Sequence, residues 1–144
     1  MRTVCLVSCV GKKLNGWSSA ENLYQSDWFQ KARVYAQSRS DRWFILSAYH
    51  GVIAPTDFID PYNKTLNTMK AAERKAWANK VIYQLSNIDA DHFIILAGNR
   101  YRERITKWMD DTGYSYDVPM EGLGIGQQLA WLKAANKILT GETQ

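Results

Sequence analysis

The chain has 144 residues, 46% of them hydrophobic and 22% charged, with a net charge of +4 and an isoelectric point near 9.1. That length fits a single domain over residues 1–144 with a real core, and the composition excludes a disordered or collagen-like chain. No apolar run nears the ~20 residues of a membrane span and the amino terminus does not read as a signal peptide, so a cytoplasmic protein with no membrane partner is expected.

Residues 3–10 (TVCLVSCV) are a continuous apolar run of strand length, the mark of a strand covered on both faces. Cys5 and Cys9 have no Cys or His partners at ligand spacing; they read as reduced thiols, and no metal is expected. The turn that follows offers Ser8, Cys9, Lys12 and Lys13, a set whose backbone N–H groups and ammonium suit an anion. A solvated turn accounts for the lysines equally well, and the glycine-lysine pattern of a P-loop is absent. Ser18-Ser19-Ala20-Glu21 fits a capping box, and Ala20, Leu23, Trp28, Ala32, Tyr35 and Ala36 recur at helical spacing to about Gln37.

Residues 43–49 (WFILSAY) read as a second buried strand. The connection over 50–69 is long for its task and holds His50, Asp57, Asp60, Tyr62 and Asn63 together with two rigid prolines, Pro55 and Pro61. A carboxylate beside proline and tyrosine suits water activation, a tyrosine stacks on a planar ring, and an asparagine reads a base edge. Turn chemistry explains Asp60-Pro61 equally well, and a hydrogen-bonded histidine explains His50.

A helix is expected over 70–86, with Trp77, Ala78, Val81, Ile82 and Leu85 on one side. FIILAG (93–98) is a third buried strand; His92, at its amino end, reads as structural. Gly98, Arg100 and Tyr101 open a short basic helix that runs to about Met109. A short fourth strand is placed around 116–118. Glu121 then precedes the alternate glycines Gly122, Gly124 and Gly126, which let backbone approach a ligand at the start of a last helix ending near Leu139.

Alternating strands and helices predict an α/β fold: three layers, with a mainly parallel sheet of about four strands and helices on both faces. Strands 3–10, 43–49 and 93–98 should be adjacent and parallel. In such sheets ligands bind beyond the carboxyl ends of the strands, where the loops after Ser8, His50, Gly98 and Pro119 converge.

LVSCVGKK, ENLYQSDWF, ILSAYHGVIAP followed by DPYNKTL, ILAGNRY and PMEGLGIGQQLAWL together resemble a family of small bacterial and phage proteins of unassigned function. More distantly, LSAYHGVIAPTDFIDPY is similar to a stretch of the peroxide-stress protein YaaA family, which implies DNA binding. Asp60-Pro61-Tyr62 is similar to the water-activating tripeptide of uracil-DNA glycosylases, where it follows the first strand; here it follows the second.

Charge, aromatic content and these resemblances point to a nucleobase, nucleotide or DNA as partner. The expected activity is N-glycosidic cleavage of a base, modified bases included. Asp60, partly buried and hydrogen-bonded, would orient water, in a pocket that His50, Tyr62 and Asn63 line with Lys13 and Glu121. Tyr62 and a Trp would stack the base, Lys13 with the glycine loop would hold phosphate, His50 or Asn63 would meet developing base charge, and Glu121 is a second candidate acid or base. No cofactor is expected. The alternative is a non-catalytic DNA-binding or nucleotide-binding protein of the YaaA-like type, or one that binds a small signalling nucleotide.

Overall fold

The structure, a computed structural model, describes residues 2–9, 13–14, 16–61 and 68–139. The apolar run after Arg2 forms β1 (Thr3–Ser8), the middle strand of a five-stranded sheet. β1 pairs in parallel with β3 (Arg42–Ser47) on one side and β6 (His92–Leu96) on the other, and β7 (Ser115–Asp117) extends the sheet in parallel beyond β6. The expected adjacency of the three apolar strands is therefore found. The expectation of about four strands falls one short, because β4 (Gly51–Ile53) folds back antiparallel on the outer edge of β3.

Side-chain alternation divides β1 between two cores. Cys5, Val7 and Cys9 pack with Trp28, Phe29 and Ala32 of α2 (Asp27–Arg39) and Leu132 of α5 (Ile125–Leu139). Val4 and Leu6 pack on the opposite face with Trp77, Val81 and Leu85 of α3 (Ala71–Ser86) and Ile105 of α4 (Asn99–Thr112). Helices thus cover both faces, which is the expected three-layer arrangement. Burial pushes the Cys5 thiol far above its ordinary range, which keeps it protonated and inert. Among the described residues, no helix is long and apolar enough to cross a membrane.

Two local expectations are corrected. The single helix expected over 20–37 is broken into α1 (Ala20–Leu23) and α2, and Ser26 rather than Ser18 caps the long helix, its Oγ accepting from the Phe29 N–H at 3.1 Å. Ser18 and Ser19 instead form β2, which pairs antiparallel with β5 (Phe58–Ile59). The amides of Ala20 and Glu21 donate to the carbonyls of Asp57 and Pro55 at 2.7 and 2.9 Å, so a neighbouring segment satisfies the donors that a capping box would serve. Glu21 turns to Arg33 instead, 3.4 Å away.

The second correction concerns 50–69, which is not one long loop. It holds β4 and β5, and the first part is a hairpin on β3. Gln84 of α3 covers the outer edge of that hairpin: its Oε1 accepts from the Val52 N–H at 2.8 Å and its Nε2 donates to the Val52 carbonyl. An edge strand whose backbone is met by a side chain is closed to pairing with another chain. Gly51, at φ +77°, passes so close to Gln84 that a Cβ there would strike the amide.

Candidate functional site at the carboxyl edge of the sheet

The chain leaves β1 for β3 on one side and later takes up β6 on the other, so the order reverses between β1 and β6. Ser8 and Cys9 close β1 at this point, but both are buried, and the Cys9 amide donates to the Leu46 carbonyl at 3.2 Å. Both belong to the buried end of the strand, and neither lines the cavities described below. Lys13 forms a backbone bridge with Tyr24 and sets its ammonium 5.7 Å from the centre of that buried ring. Lys12, Tyr62 and Asn63 lie outside the described residues.

On the β6 side a cavity of about 210 Å³ opens between the first turns of α4 and α5. Gly98 and Gly122 line it, as expected, together with Asn99, Arg102 and Gln128 over an apolar floor that includes Leu96, Met120 and Leu123. Gly98 is the N-cap of α4 and brings no side-chain acceptor, and no acidic residue stands in the first turn. The helix therefore presents an uncompensated positive end to the cavity. Arg102, half-buried, reaches back along the helix as long side chains do, and its Nη1 donates to the Ala97 carbonyl at 2.8 Å. It forms no ion pair with a described residue. Gln128 is held from both ends, accepting from Trp28 Nε1 at 2.9 Å and donating to the Leu123 carbonyl at 2.8 Å.

Several expected site residues lie elsewhere. Tyr101 is buried and packs edge-on to Trp77, 5.5 Å between centroids, so it is core rather than crevice lining. Arg100 is exposed, as are Gly124 and Gly126; the Gly124 amide is taken by Gln127 Oε1 at 3.0 Å. None of these lines the cavity, nor does Glu121, which is exposed on the turn after Val118.

On the β3 side, Ser47 Oγ accepts the amides of Tyr49 and His50 at 3.2 and 3.0 Å and so builds the turn into β4. The His50 ring meets Tyr49 edge-on, 4.8 Å between centroids. Burial, then the ammonium of Lys80, hold His50 below the ordinary histidine range, against a smaller opposing pull from Asp57. Asp57 itself closes a turn, accepting from the Ala54 amide at 2.9 Å. Asp60 is exposed and makes no hydrogen bond with a described residue, contrary to the expectation of a carboxylate held in place. The ring of Tyr49 lines a second hollow, of about 280 Å³, against α3, and that hollow is not lined by Asp60, Lys13 or Glu121 either. The expected convergence of His50, Asp60, Lys13 and Glu121 on one pocket is therefore not what these hollows provide.

Asn99 and Gln128 are the residues that sequence reasoning missed, whereas Arg102 is legible in the sequence as one of several basic residues, with Lys12, Lys13, Arg100 and Arg104, suited to a phosphate. One further signal was present: a basic side chain in the first turn after a buried strand, where acids are favoured. His92, by contrast, is structural as expected, tying β6 to β7 through Ser115 at 2.8 Å and Asp117 at 3.0 Å.

A family of unknown function, DUF6884, matches residues 4–134, from β1 to well inside α5. The chain belongs to this family. The uncharacterized protein YfjM of Bacillus subtilis (strain 168) is 30% identical to it over 114 residues, 71% of this chain and 73% of that protein. No solved structure matches the chain. Neither name brings a substrate with it.

Proposed function

We propose that this protein binds a phosphorylated nucleotide at the carboxyl edge of its sheet, with a phosphate seated at the amino end of α4. The observation that carries this reading is Arg102, half-buried at a cavity and held by the Ala97 carbonyl beside an uncapped helix start. A phosphate at that place meets backbone N–H groups, the helix dipole and the remaining guanidinium donors together. Gly98 and Gly122 leave the backbone open to it, and a net charge of +4 favours an anionic partner in general.

Binding is preferred to base cleavage on physical grounds. A carboxylate that activates water has to be positioned before the substrate arrives. Asp60 is exposed and lacks a described hydrogen-bond partner, so the glycosidase reading rests on its motif alone.

Calorimetric titration of the full chain with cytidine and adenosine monophosphates tests the proposal. Arg102→Gln should weaken both by roughly 10- to 100-fold, the value of a charge-assisted hydrogen bond. Equal affinity in the variant, or no binding by the wild-type chain, ends it. Release of free base on incubation, lost in Asp60→Asn, would restore the enzymatic reading instead.

A further inference from the structure

The hollow at the carboxyl end of β3 has a composition unlike an ordinary surface dip. Its floor is made of Met69 and Trp77, both buried in the core, and its wall is the ring of Tyr49, 58% exposed. The floor is fixed: Trp77 Nε1 donates to the Ser47 carbonyl at 2.8 Å, and the indole packs edge-on to Tyr101. The wall is fixed as well, by the Ser47 Oγ bond to the Tyr49 amide and the edge-on contact with His50. An exposed aromatic ring beside an apolar floor suits a planar ring.

The rim carries two charges of opposite sign. Glu73 and Lys80 both line the hollow from α3, seven residues apart, which is about 10 Å along the helix axis, with Trp77 between them. Neither forms an ion pair with a described residue. A carboxylate only accepts hydrogen bonds and an ammonium only donates them. A ring lying between them is selected for a donor at one end and an acceptor or anionic group at the other.

We infer that this hollow recognises a nucleobase bearing an exocyclic amino group, stacked on Tyr49, with Glu73 accepting from the amine. The inference rests on the nucleotide reading above and adds the class of base. Glu73 separates cytosine, adenine and guanine from uracil and thymine, because the latter present a carbonyl where cytosine presents an amine. β3 and β6 both flank β1, so their carboxyl ends lie about 10 Å apart. A short ligand can therefore place its base at Tyr49 and a phosphate towards Arg102. The depressed pKa of His50 fits this arrangement: a neutral imidazole behind Tyr49 adds no second cation beside Lys80.

Cytidine and uridine monophosphates are the discriminating pair, being equal in charge and nearly equal in size. The wild-type chain should bind the cytidine form at least about tenfold more tightly. Glu73→Gln, at an exposed position that leaves the fold intact, should bring the two affinities together, since an amide donates as readily as it accepts. Tyr49→Ala should weaken both nucleotides by a similar factor, and Tyr49→Phe should restore them. Equal affinities in the wild-type chain, or a ratio unmoved by Glu73→Gln, overturn the base pocket. If Arg102→Gln still weakens both nucleotides in that case, the phosphate site stands without it. Failure of both nucleotides to bind the wild-type chain overturns both sites.

Discussion

The surroundings of His50 are set by the turn between β3 and β4. The residue is half-buried there, its amide is held by Ser47 and its ring faces Tyr49. Burial and Lys80 lower its pKa from the ordinary 6.5. The unfolded chain then binds more protons than the folded one between the folded value and about 6.5, so stability rises with pH across that window and falls on acidification through it. We expect denaturant midpoints to drop between pH 7 and pH 5, and the drop to shrink in His50→Gln. A slope that is the same in the variant would assign the pH dependence to other groups. Lys80→Gln should move the imidazole resonances to a higher pKa, because it removes the cation that opposes protonation.

At the scale of elements, α4 is the informative helix. Its carboxyl end is conventional: Gly113 takes the left-handed conformation at φ 81° and the Tyr114 amide returns to the Met109 carbonyl at 2.9 Å. Its amino end lacks both a side-chain cap and an acid in the first turn, and the proposed phosphate would supply the missing negative charge there. Gly98 has ordinary helix-cap dihedrals and open space where a Cβ would stand. Gly98→Asp should therefore stabilise the protein by about 0.5–1 kcal/mol, read from denaturant unfolding, while a carboxylate in the phosphate's place abolishes nucleotide binding. A variant that gains stability and keeps full affinity would remove the α4 terminus from the site.

Across the whole molecule, the sheet separates two cores, and β1 serves both through its alternating side chains. Leu6 is fully buried in the core beneath α3 and α4. Leu6→Ala should cost about 2–5 kcal/mol of unfolding free energy by leaving a cavity that rigid neighbours cannot fill. A loss below about 1 kcal/mol would mean that the core there is looser than its burial indicates. The same architecture sets the site: four parallel strands end on one side of the sheet, so both hollows lie on that edge while His92 and its partners close the other.

The apolar runs alone determined the three central strands of the sheet. TVCLVSCV, WFILSAY and FIILAG leave no polar face for solvent, and helix-length connections then make parallel pairing the natural outcome. Gly98 and Gly122 were legible as positions that leave backbone uncovered, through the absence of a side chain, and both line a cavity. Only the tertiary structure decided the rest. Ser18 to Glu21 carries a capping-box pattern, yet the carbonyls of Pro55 and Asp57, remote in sequence, take the amides concerned. Asp60 reads like a catalytic carboxylate, but whether a carboxylate is held depends on what folds over it, and here it stands exposed. Arg102 reads as one of several arginines on a basic helix; its position at a cavity follows from the path of β6 and the reach of its side chain back to Ala97. Local pattern determines which residues prefer to be buried or extended, whereas burial, partners and charge at a site come from segments that meet only when the sheet closes.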